Sequence, residues 1–463
     1  MVQSNHAILL FTARPRPRIG GSMFRTLAAG LGTALLPFAP APAPESPAPV
    51  PAIAAPAPGI PVSAAENPSA ALQIPAPAPE IPVSTLENPA TATENPASAP
   101  ENPAAATENP ATATEIPASA PENPAVAPEI PGHALVGYLH ASFANGSGYT
   151  RIADVPAEWD VIDLAFAEPT SPTSGQLEFE LCPVAECPNV ETEEEFKAGI
   201  KQKQAEGKKV VLSVGGANGQ VRLETPAARD AFVSSAGAII DRYGLDGLDV
   251  DFEGHSLELA PGDTDLKNPT TPVVVNLIEA LRALNAKYGE RFVLTMAPET
   301  FFVQVGYQHY GGGTGADPRA GAYLPVIEAL RDDLDLLHVQ NYNSGPVMGL
   351  DDQYHTMGTA DFHIAMIDML LTGFPLAGNP DNTFAPLRPE QVAIGLPAAN
   401  PAGNGFTPVP EVHKALDCLR SGTGCGPYQP HGTYPGLRGL MAWSINWDVY
   451  HGNEFARSHD GHS

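Results

Sequence analysis

From residue 134 onward, short apolar runs alternate with longer stretches whose apolar positions recur at helical spacing. Short runs rich in Val, Leu, Ile and Phe are typical of buried strands. Eight such strands are predicted, at residues 134–139, 161–167, 209–214, 247–252, 291–296, 336–342, 392–396 and 437–443. Intervening segments such as 273–288 have helical periodicity. Because strands that alternate with helices form parallel sheets, the pattern predicts the α/β class and a single (β/α)8 TIM barrel.

The start of the chain has a different pattern. Four arginines between residues 14 and 25 precede an apolar stretch at 27–38. That stretch is too short to span a bilayer, and a basic region before a short apolar one is typical of a secretory signal. We therefore expect a signal peptide region over residues 1–41, with Met23 as an alternative start that gives a more compact signal.

A proline-rich repeat follows this region. Seven-residue units such as ENPATAT begin at Glu87 and recur up to Glu129. Each unit contains proline and lacks the large apolar residues that a coiled coil needs. Residues 42–131 also contain no Lys, Arg, Trp, Tyr or Cys, so they cannot bury enough apolar surface to fold. The sequence predicts a disordered, polyproline-like linker here, followed by one barrel domain over residues 132–463.

The net charge of −28 narrows the range of partners. Phosphate binding needs a basic patch, so nucleic acid and anionic membranes are not expected as partners. A neutral or weakly cationic ligand is compatible with this charge, although high net charge also serves plain solubility. We expect a monomer and no cofactor.

The four cysteines form two pairs that are close in sequence, Cys182 with Cys187 and Cys418 with Cys425. Such spacing predicts two small loop disulfides in an oxidising compartment, with free buried thiols as the alternative. The CxxC spacing of zinc and redox sites is absent from the sequence, so no metal site is predicted.

The segment 243–254, YGLDGLDVDFEG, carries the chemistry of the predicted barrel. It lies on the fourth predicted strand, where side chains alternate between faces, so Asp249, Asp251 and Glu253 share one face. Their neighbours on the other face are apolar, which directs the carboxylates into the barrel, near the strand ends that hold active sites. Carboxylates this close raise the pKa of at least one of them, as a general acid requires. An acidic metal site is the alternative, but no second acidic cluster with ligand spacing accompanies it.

This segment resembles the DxxDxDxE signature of glycoside hydrolase family 18, the chitinases and their relatives. Asp246, Asp249, Asp251 and Glu253 occupy its four marked positions. Four further segments are similar to motifs of the same family in the same order: LSVGG at 212–216, MAPE at 296–299, QNYN at 340–343 and MAWSINWD at 441–448. The resemblance extends over residues 133–450, with LAFAE on the second strand as a weaker match.

The resemblance implies a retaining mechanism in which the substrate supplies the nucleophile. Glu253 would protonate the glycosidic oxygen, and Asp251 would orient the acetamido group of the sugar, whose carbonyl oxygen attacks. Tyr342 would hydrogen-bond the same acetamido group. Asp251 and Glu253 share one strand face, which serves a two-carboxylate retaining mechanism poorly. Asp249 would tune the charge on Asp251.

Further residues of the matched motifs are expected around these groups. Ser213 and Tyr138 would act together with Asp249. Trp443 would form the floor beneath the sugar, and Gln340 would line the pocket. The remaining substrate-binding candidates are Met296, Glu299 and Asn343. His338 shares the face of Gln340 but lies deeper, where a core histidine is the more common finding.

The resemblance therefore implies a secreted, extracellular chitinase that cleaves β-1,4 bonds in chitin or N-acetylglucosamine oligosaccharides. Only about 40 residues separate the seventh and eighth predicted strands, so an α+β insertion that deepens the groove in some relatives is missing. A shallow, open cleft favours endo-acting cleavage. The alternatives are an endo-β-N-acetylglucosaminidase acting on N-glycans, a catalytically silent chitin-binding lectin, and a surface or wall protein whose main part is the spacer.

Overall fold

A computed structural model describes residues 129–312 and 316–462, so the expected signal and nearly all of the expected linker lie outside the described residues. Eight parallel strands run in chain order: β1 Ala134–His140, β2 Val161–Pro169, β3 Lys209–Gly215, β4 Gly247–Asp251, β5 Val293–Met296, β6 Leu336–Gln340, β7 Val392–Pro397 and β8 Gly439–Trp443. Each strand pairs with its neighbours in sequence, and β1 pairs with both β2 and β8, which closes the sheet. The predicted barrel and its eight strands are confirmed.

Eight helices follow the strands: α1 Glu193–Ala205, α2 Pro226–Tyr243, α3 Pro272–Tyr288, α4 Leu324–Ala329, α5 Ala360–Thr372, α6 Val409–Ser421, α7 Ile445–Tyr450 and α8 Glu454–His459. Their ends carry ordinary capping signals. Thr192 and Glu195 form a capping box at the start of α1, and Gly244 ends α2 in the left-handed conformation. The connection from β1 to β2 departs from the pattern, since it holds only the 3-10 turn Ile152–Asp154.

Several short strands lie in the loops of the barrel. Strand Leu177–Glu178 pairs antiparallel with the end of β2. Two further antiparallel pairs are Val347–Met348 with Tyr354–His355 and Phe374–Leu376 with Asn379–Phe384. Residues 398–438, between β7 and β8, hold a 3-10 turn and α6 but no strand. The predicted absence of an α+β insertion at this point is confirmed.

The strands alternate between two environments. Outward side chains such as Leu248 and Val250 join the main core beneath the helices. Inward side chains at the amino-terminal end of the barrel are apolar, among them Val136, Val211 and Leu336. Towards the carboxyl-terminal end the inward positions become polar, which is where such barrels place their active sites.

Two disulfides confirm the predicted cysteine pairs. Cys182 and Cys187 are joined with their Cα atoms 5.9 Å apart, and Cys418 and Cys425 with theirs 4.9 Å apart. Both bridges close short surface loops. Within 129–312 and 316–462, none of the helices combines the length and the apolar character that crossing a bilayer demands.

The folded part of the chain begins slightly before the expected boundary at residue 132. Ile130 is partly buried against the apolar interior of the barrel. The guanidinium of Arg438 donates to the carbonyl oxygens of Ile130 and Pro131, at 2.9 and 2.6 Å. The last residues assigned to the linker therefore pack against the domain.

Candidate active site

Strand β4 places three acids in one line along the barrel interior. Asp249 and Asp251 are buried within the strand, and Glu253 follows directly after it. Neighbouring β3 ends in Gly215, which has φ +116°, a conformation that favours glycine. A Cβ at this position would also collide with the backbone oxygen of Asp251. The glycine thus lets β3 and β4 approach closely beside the acids.

Asp249 is held by hydroxyl groups from three other strands. Tyr138 Oη and Ser213 Oγ donate to Asp249 Oδ2 at 2.6 and 2.7 Å, and Thr295 Oγ1 donates to Oδ1 at 2.7 Å. Hydrogen bonds to a carboxylate stabilise its charged form. Tyr138 and Ser213 were expected beside Asp249, whereas Thr295 was not predicted, because a threonine on a strand carries no signal of its own.

Gln340 connects the other two acids. Its Nε2 atom lies 2.9 Å from Asp251 Oδ1 and 3.0 Å from Glu253 Oε1, and it also lies 3.0 Å from the carbonyl oxygen of Ala297. One amide group from β6 therefore fixes the spacing of two carboxyl groups on β4 and its loop. The sequence placed Gln340 in the pocket but did not predict this bridge.

Burial dominates the electrostatics of the site. It raises the pKa of Glu253 to about 7, with the charge of Glu299 adding to the effect and the bond from Gln340 opposing it. Burial also raises the pKa of Asp251 well above its usual range, helped by the charges of Glu253 and Asp249. A carboxyl group that keeps its proton near neutral pH can serve as a general acid.

A cavity of about 470 Å³ opens above these acids. Five of the expected residues line it together with Glu253: Asp251, Gln340, Tyr342, Asn343 and Trp443. The cavity lining also includes residues that the sequence did not predict, namely Phe143, Asn145, Phe166, Glu168 and Asn218. Glu168 is exposed and is the one further carboxylate among the lining residues.

An aromatic layer forms one wall of the cavity. The ring of Phe166 stacks on that of Trp443 with centroids 5.7 Å apart, and Phe143 stacks on Phe166 at 6.2 Å. If side chains strictly alternated between the two faces of β2, Phe166 would point outward. The pairing of β2 with β3 shifts register between Leu164 and Ala167, and this bulge brings Phe166 into the barrel mouth.

Other expected residues lie away from the cavity. Met296 was expected to bind substrate, but the structure corrects this expectation, because the side chain is fully buried in the main core beneath the helices. Strand β5 instead turns Thr295 inward. Asp246 lies before the start of β4 and accepts bonds from the backbone of Val210 and from Gln204, so it serves the strand rather than the pocket. Glu299 is partly buried, forms an isolated backbone bridge with Gln340 and is not among the residues that line the cavity.

Among the described residues, one group brings metal-ligating side chains together, formed by Asp163, Asp249 and His338. All three side chains are fully buried. The oxygens of Asp249 already accept three hydroxyl hydrogen bonds. We therefore do not assign this group as a metal site.

A buried acid that keeps its proton, a second carboxyl group beside it and an aromatic wall define a barrel-type glycoside hydrolase. Residues 134–380 match the family model described as glycosyl hydrolases family 18. The chain belongs to this family.

Curated relatives are similar over most of the folded domain. Exochitinase 1 of Streptomyces olivaceoviridis is 70% identical over 332 residues, which is 71% of this chain and 56% of that protein. The chain thus spans little more than half of that relative. A probable class II chitinase of Arthroderma benhamiae is 64% identical over 311 residues, covering 67% of this chain and 93% of that protein. A crystal structure of a family GH18 chitinase from Chromobacterium violaceum has a TM-score of 0.64 and 40% identity, covering 72% of this chain and 84% of that one.

Proposed function

We propose that this chain hydrolyses β-1,4 bonds between N-acetylglucosamine units of chitin or its oligosaccharides. One observation carries the proposal most directly, which is the bridge from Gln340 to Asp251 and Glu253 at the base of an aromatic-walled cavity. The bridge holds a proton donor and a polar orienting group on the same side of the bound sugar. The relatives named as chitinases support the choice of substrate.

In the proposed first step, the proton of Glu253 passes to the glycosidic oxygen as the bond from that oxygen to the anomeric carbon breaks. The acetamido carbonyl oxygen of the sugar that contains this anomeric carbon attacks the carbon and forms an oxazolinium ion. Asp251 accepts a hydrogen bond from the acetamido N–H, and Tyr342 holds the same group. Water then attacks the anomeric carbon and gives a proton to Glu253 as the bond from the acetamido oxygen to that carbon breaks, so two inversions produce retention.

The substrate is proposed as the nucleophile because Asp251 and Glu253 extend from one strand and its loop. They cannot flank the anomeric carbon from opposite faces. Glu168 is the other carboxylate of the cavity lining and is the competing nucleophile. Glu168→Gln should keep kcat within about tenfold of wild type, whereas loss of an enzyme nucleophile costs several orders of magnitude.

Endo-acting cleavage remains our proposal for the mode of attack. The observation that supports it is that residues 398–438 add no strands between β7 and β8, where an insertion would wall the cleft. The Streptomyces relative is named an exochitinase, so cleavage from chain ends is the competing outcome. Early products from an N-acetylglucosamine hexamer labelled at its reducing end separate the two, since internal cleavage yields trimers and exo cleavage yields only terminal units.

A substrate panel tests the proposed function. We expect cleavage of N-acetylglucosamine oligomers, no cleavage of cellulose oligomers and no release of glycans from a high-mannose glycoprotein. Glycan release as the main activity would instead identify an endo-β-N-acetylglucosaminidase. Binding to chitin without any hydrolysis would identify a lectin.

We further propose that the protein is exported and acts as a monomer on a neutral carbohydrate. Two loop disulfides favour an oxidising compartment, and a net charge of −28 disfavours nucleic acid and anionic membranes. Activity in the culture supernatant of the producing cells, and elution at monomer size, are the expected results.

A further inference from the structure

Two buried polar residues beneath the catalytic acids have no part in the proposed mechanism. Asp163 extends inward from β2 and His338 from β6, and both side chains are fully buried. Neither oxygen of Asp163 and neither ring nitrogen of His338 has a hydrogen-bond partner among the described residues. Buried polar atoms are almost always paired, so four such atoms in one place require an explanation.

Their geometry points to Asp249. The Nε2 atom of His338 lies 3.5 Å from Asp249 Oδ1 and 3.7 Å from Asp163 Oδ2. A carboxylate offers about four acceptor positions, and the three hydroxyl bonds described above leave one of them free on Asp249. That position lies on Oδ1, the oxygen nearest to His338. A shift of a few tenths of an ångström would make the imidazole the fourth donor.

Among the residues that the structure describes, no lysine or arginine side chain faces this level of the barrel. The six strands other than β2 and β6 each contribute one inward side chain at this level: Tyr138 on β1, Ser213 on β3, Asp249 on β4, Thr295 on β5, Ala393 on β7 and Met441 on β8. Asp251 lies above this level on β4. Burial raises the pKa of Asp163 well above its usual range, and the charge of Asp249 adds to this. Burial lowers the pKa of His338. A second buried charge without a partner is strongly unfavourable, so the neutral forms are favoured.

We propose that Asp163 and His338 are both neutral, with Asp163 keeping its acid proton, and that the Nε2–H of His338 is the fourth hydrogen-bond donor to Asp249. Neither residue lines the cavity, so both are positioning residues that act through Asp249. Burial and the charges of Glu253 and Asp249 raise the pKa of Asp251, the neighbour that contacts the acetamido group in the proposed mechanism. The inference concerns the same site and rests on the proposed hydrolytic function for its kinetic tests.

An isosteric substitution tests the charge of Asp163. Asp163→Asn replaces a neutral acid by a neutral amide of the same shape. Because no charge is removed, we expect both limbs of the pH profile of kcat/KM within about 0.3 pH units of wild type. If Asp163 is ionised, the substitution removes a negative charge and lowers the pKa of the neighbouring acids. A shift of the profile by about one pH unit towards acid would therefore overturn the proposal.

A pair of substitutions tests the donor role of His338. His338→Leu removes the hydrogen bond that the proposal gives to the acids of β4, so their charged form is less stabilised. The acid limb of kcat/KM should then move up by about one pH unit, and kcat should fall about tenfold. His338→Gln keeps an N–H donor, so its acid limb should move by less than half as much. A purely structural role would lower the Tm of both variants and leave the acid limb in place, which would contradict the proposal.

Nitrogen NMR gives a readout that is independent of hydrolysis. In protein labelled at its histidine nitrogens, the His338 signals are identified by their loss in His338→Gln. We expect a neutral imidazole with its proton on Nε2 between about pH 5 and 8, a range over which an exposed histidine titrates. An imidazolium signal in this range would overturn the neutral pair even if the protein has no chitinase activity.

Discussion

Gln340 Nε2 lies 3.0 Å from Glu253 Oε1, so the carboxyl group that we propose as the proton donor is held by an amide group from another strand. The same nitrogen reaches Asp251 at 2.9 Å. A donor stabilises the ionised form of each carboxyl group and therefore opposes the effect of burial. The bridge sets both the spacing and the proton affinity of the pair.

The pH profile should report this bridge. In the proposed mechanism Glu253 acts in its protonated form, and burial raises its pKa to about 7, so kcat/KM should fall as pH rises through about 7. Gln340→Leu removes the donor and raises this pKa. We expect the alkaline limb to move up by about 0.5–1 pH unit, with a loss in kcat because the acids are no longer aligned. Gln391→Leu removes a buried glutamine at the opposite end of the barrel and should reduce stability without moving the limb.

Glu253→Gln should abolish hydrolysis while leaving oligosaccharide binding nearly unchanged. The amide keeps the shape of the side chain but cannot protonate the leaving oxygen, so kcat should fall by roughly three orders of magnitude or more. Calorimetric titration with an N-acetylglucosamine oligomer measures the retained binding. Glu258→Gln makes the same change in the following loop, where the acid pairs with Arg222 outside the cavity, and should change kcat by less than about twofold. Activity of Glu253→Gln within about tenfold of wild type would remove its assignment as the acid.

The aromatic wall should contribute mainly to substrate binding. Trp443→Ala removes the surface on which the sugar rests, and we expect KM for a soluble oligomer to rise about tenfold or more, equivalent to ~1.4 kcal/mol. Phe166→Ala should have a smaller effect in the same direction, because it also removes support for the indole. Trp447→Ala changes a partly buried tryptophan outside the cavity lining and serves as the matched control. Equal KM values for all three variants would contradict this role.

The last residues of the linker should contribute to the thermal stability of the domain, whereas the rest of the linker should not affect its activity. Deletion of residues 42–128 is predicted to leave kcat on soluble oligomers within about threefold of wild type. The segment has too few core-forming residues to pack stably against the domain. Deletion of 42–131 also removes Ile130 and Pro131, whose carbonyl groups Arg438 binds. This longer deletion should lower Tm by roughly 2–4 °C if about 1 kcal/mol of packing is lost. Identical Tm values for the two deletions, measured by calorimetry, would show that the contacts are dispensable.

The barrel could be predicted from the sequence because its signal is periodic. Each strand is a compact apolar run, and alternation on β4 correctly assigns the opposite faces of Val250 and Asp251. The first connection was not predicted, since a 3-10 turn that replaces a helix leaves no periodic pattern.

The parts of the site that were missed depend on local irregularity or on distance in sequence. Phe166 reaches the cavity because a register shift interrupts the alternation of β2. Met296 was placed at the substrate by its motif, whereas the register of β5 turns it into the core. The hydrogen bond from Thr295 to Asp249 joins two residues that lie 46 positions apart in the sequence, and no spacing rule predicts such a contact.

The anomeric form of the first product tests the central claim most directly. If the acetamido group of the substrate is the nucleophile, hydrolysis passes through two inversions at the anomeric carbon. Proton NMR during the first minutes of reaction on a β-linked N-acetylglucosamine oligomer should then show the β-anomer, before mutarotation sets in. An initial α-anomer would mean that water attacks the anomeric carbon directly, and it would contradict the substrate-assisted mechanism even though the fold and the family stand.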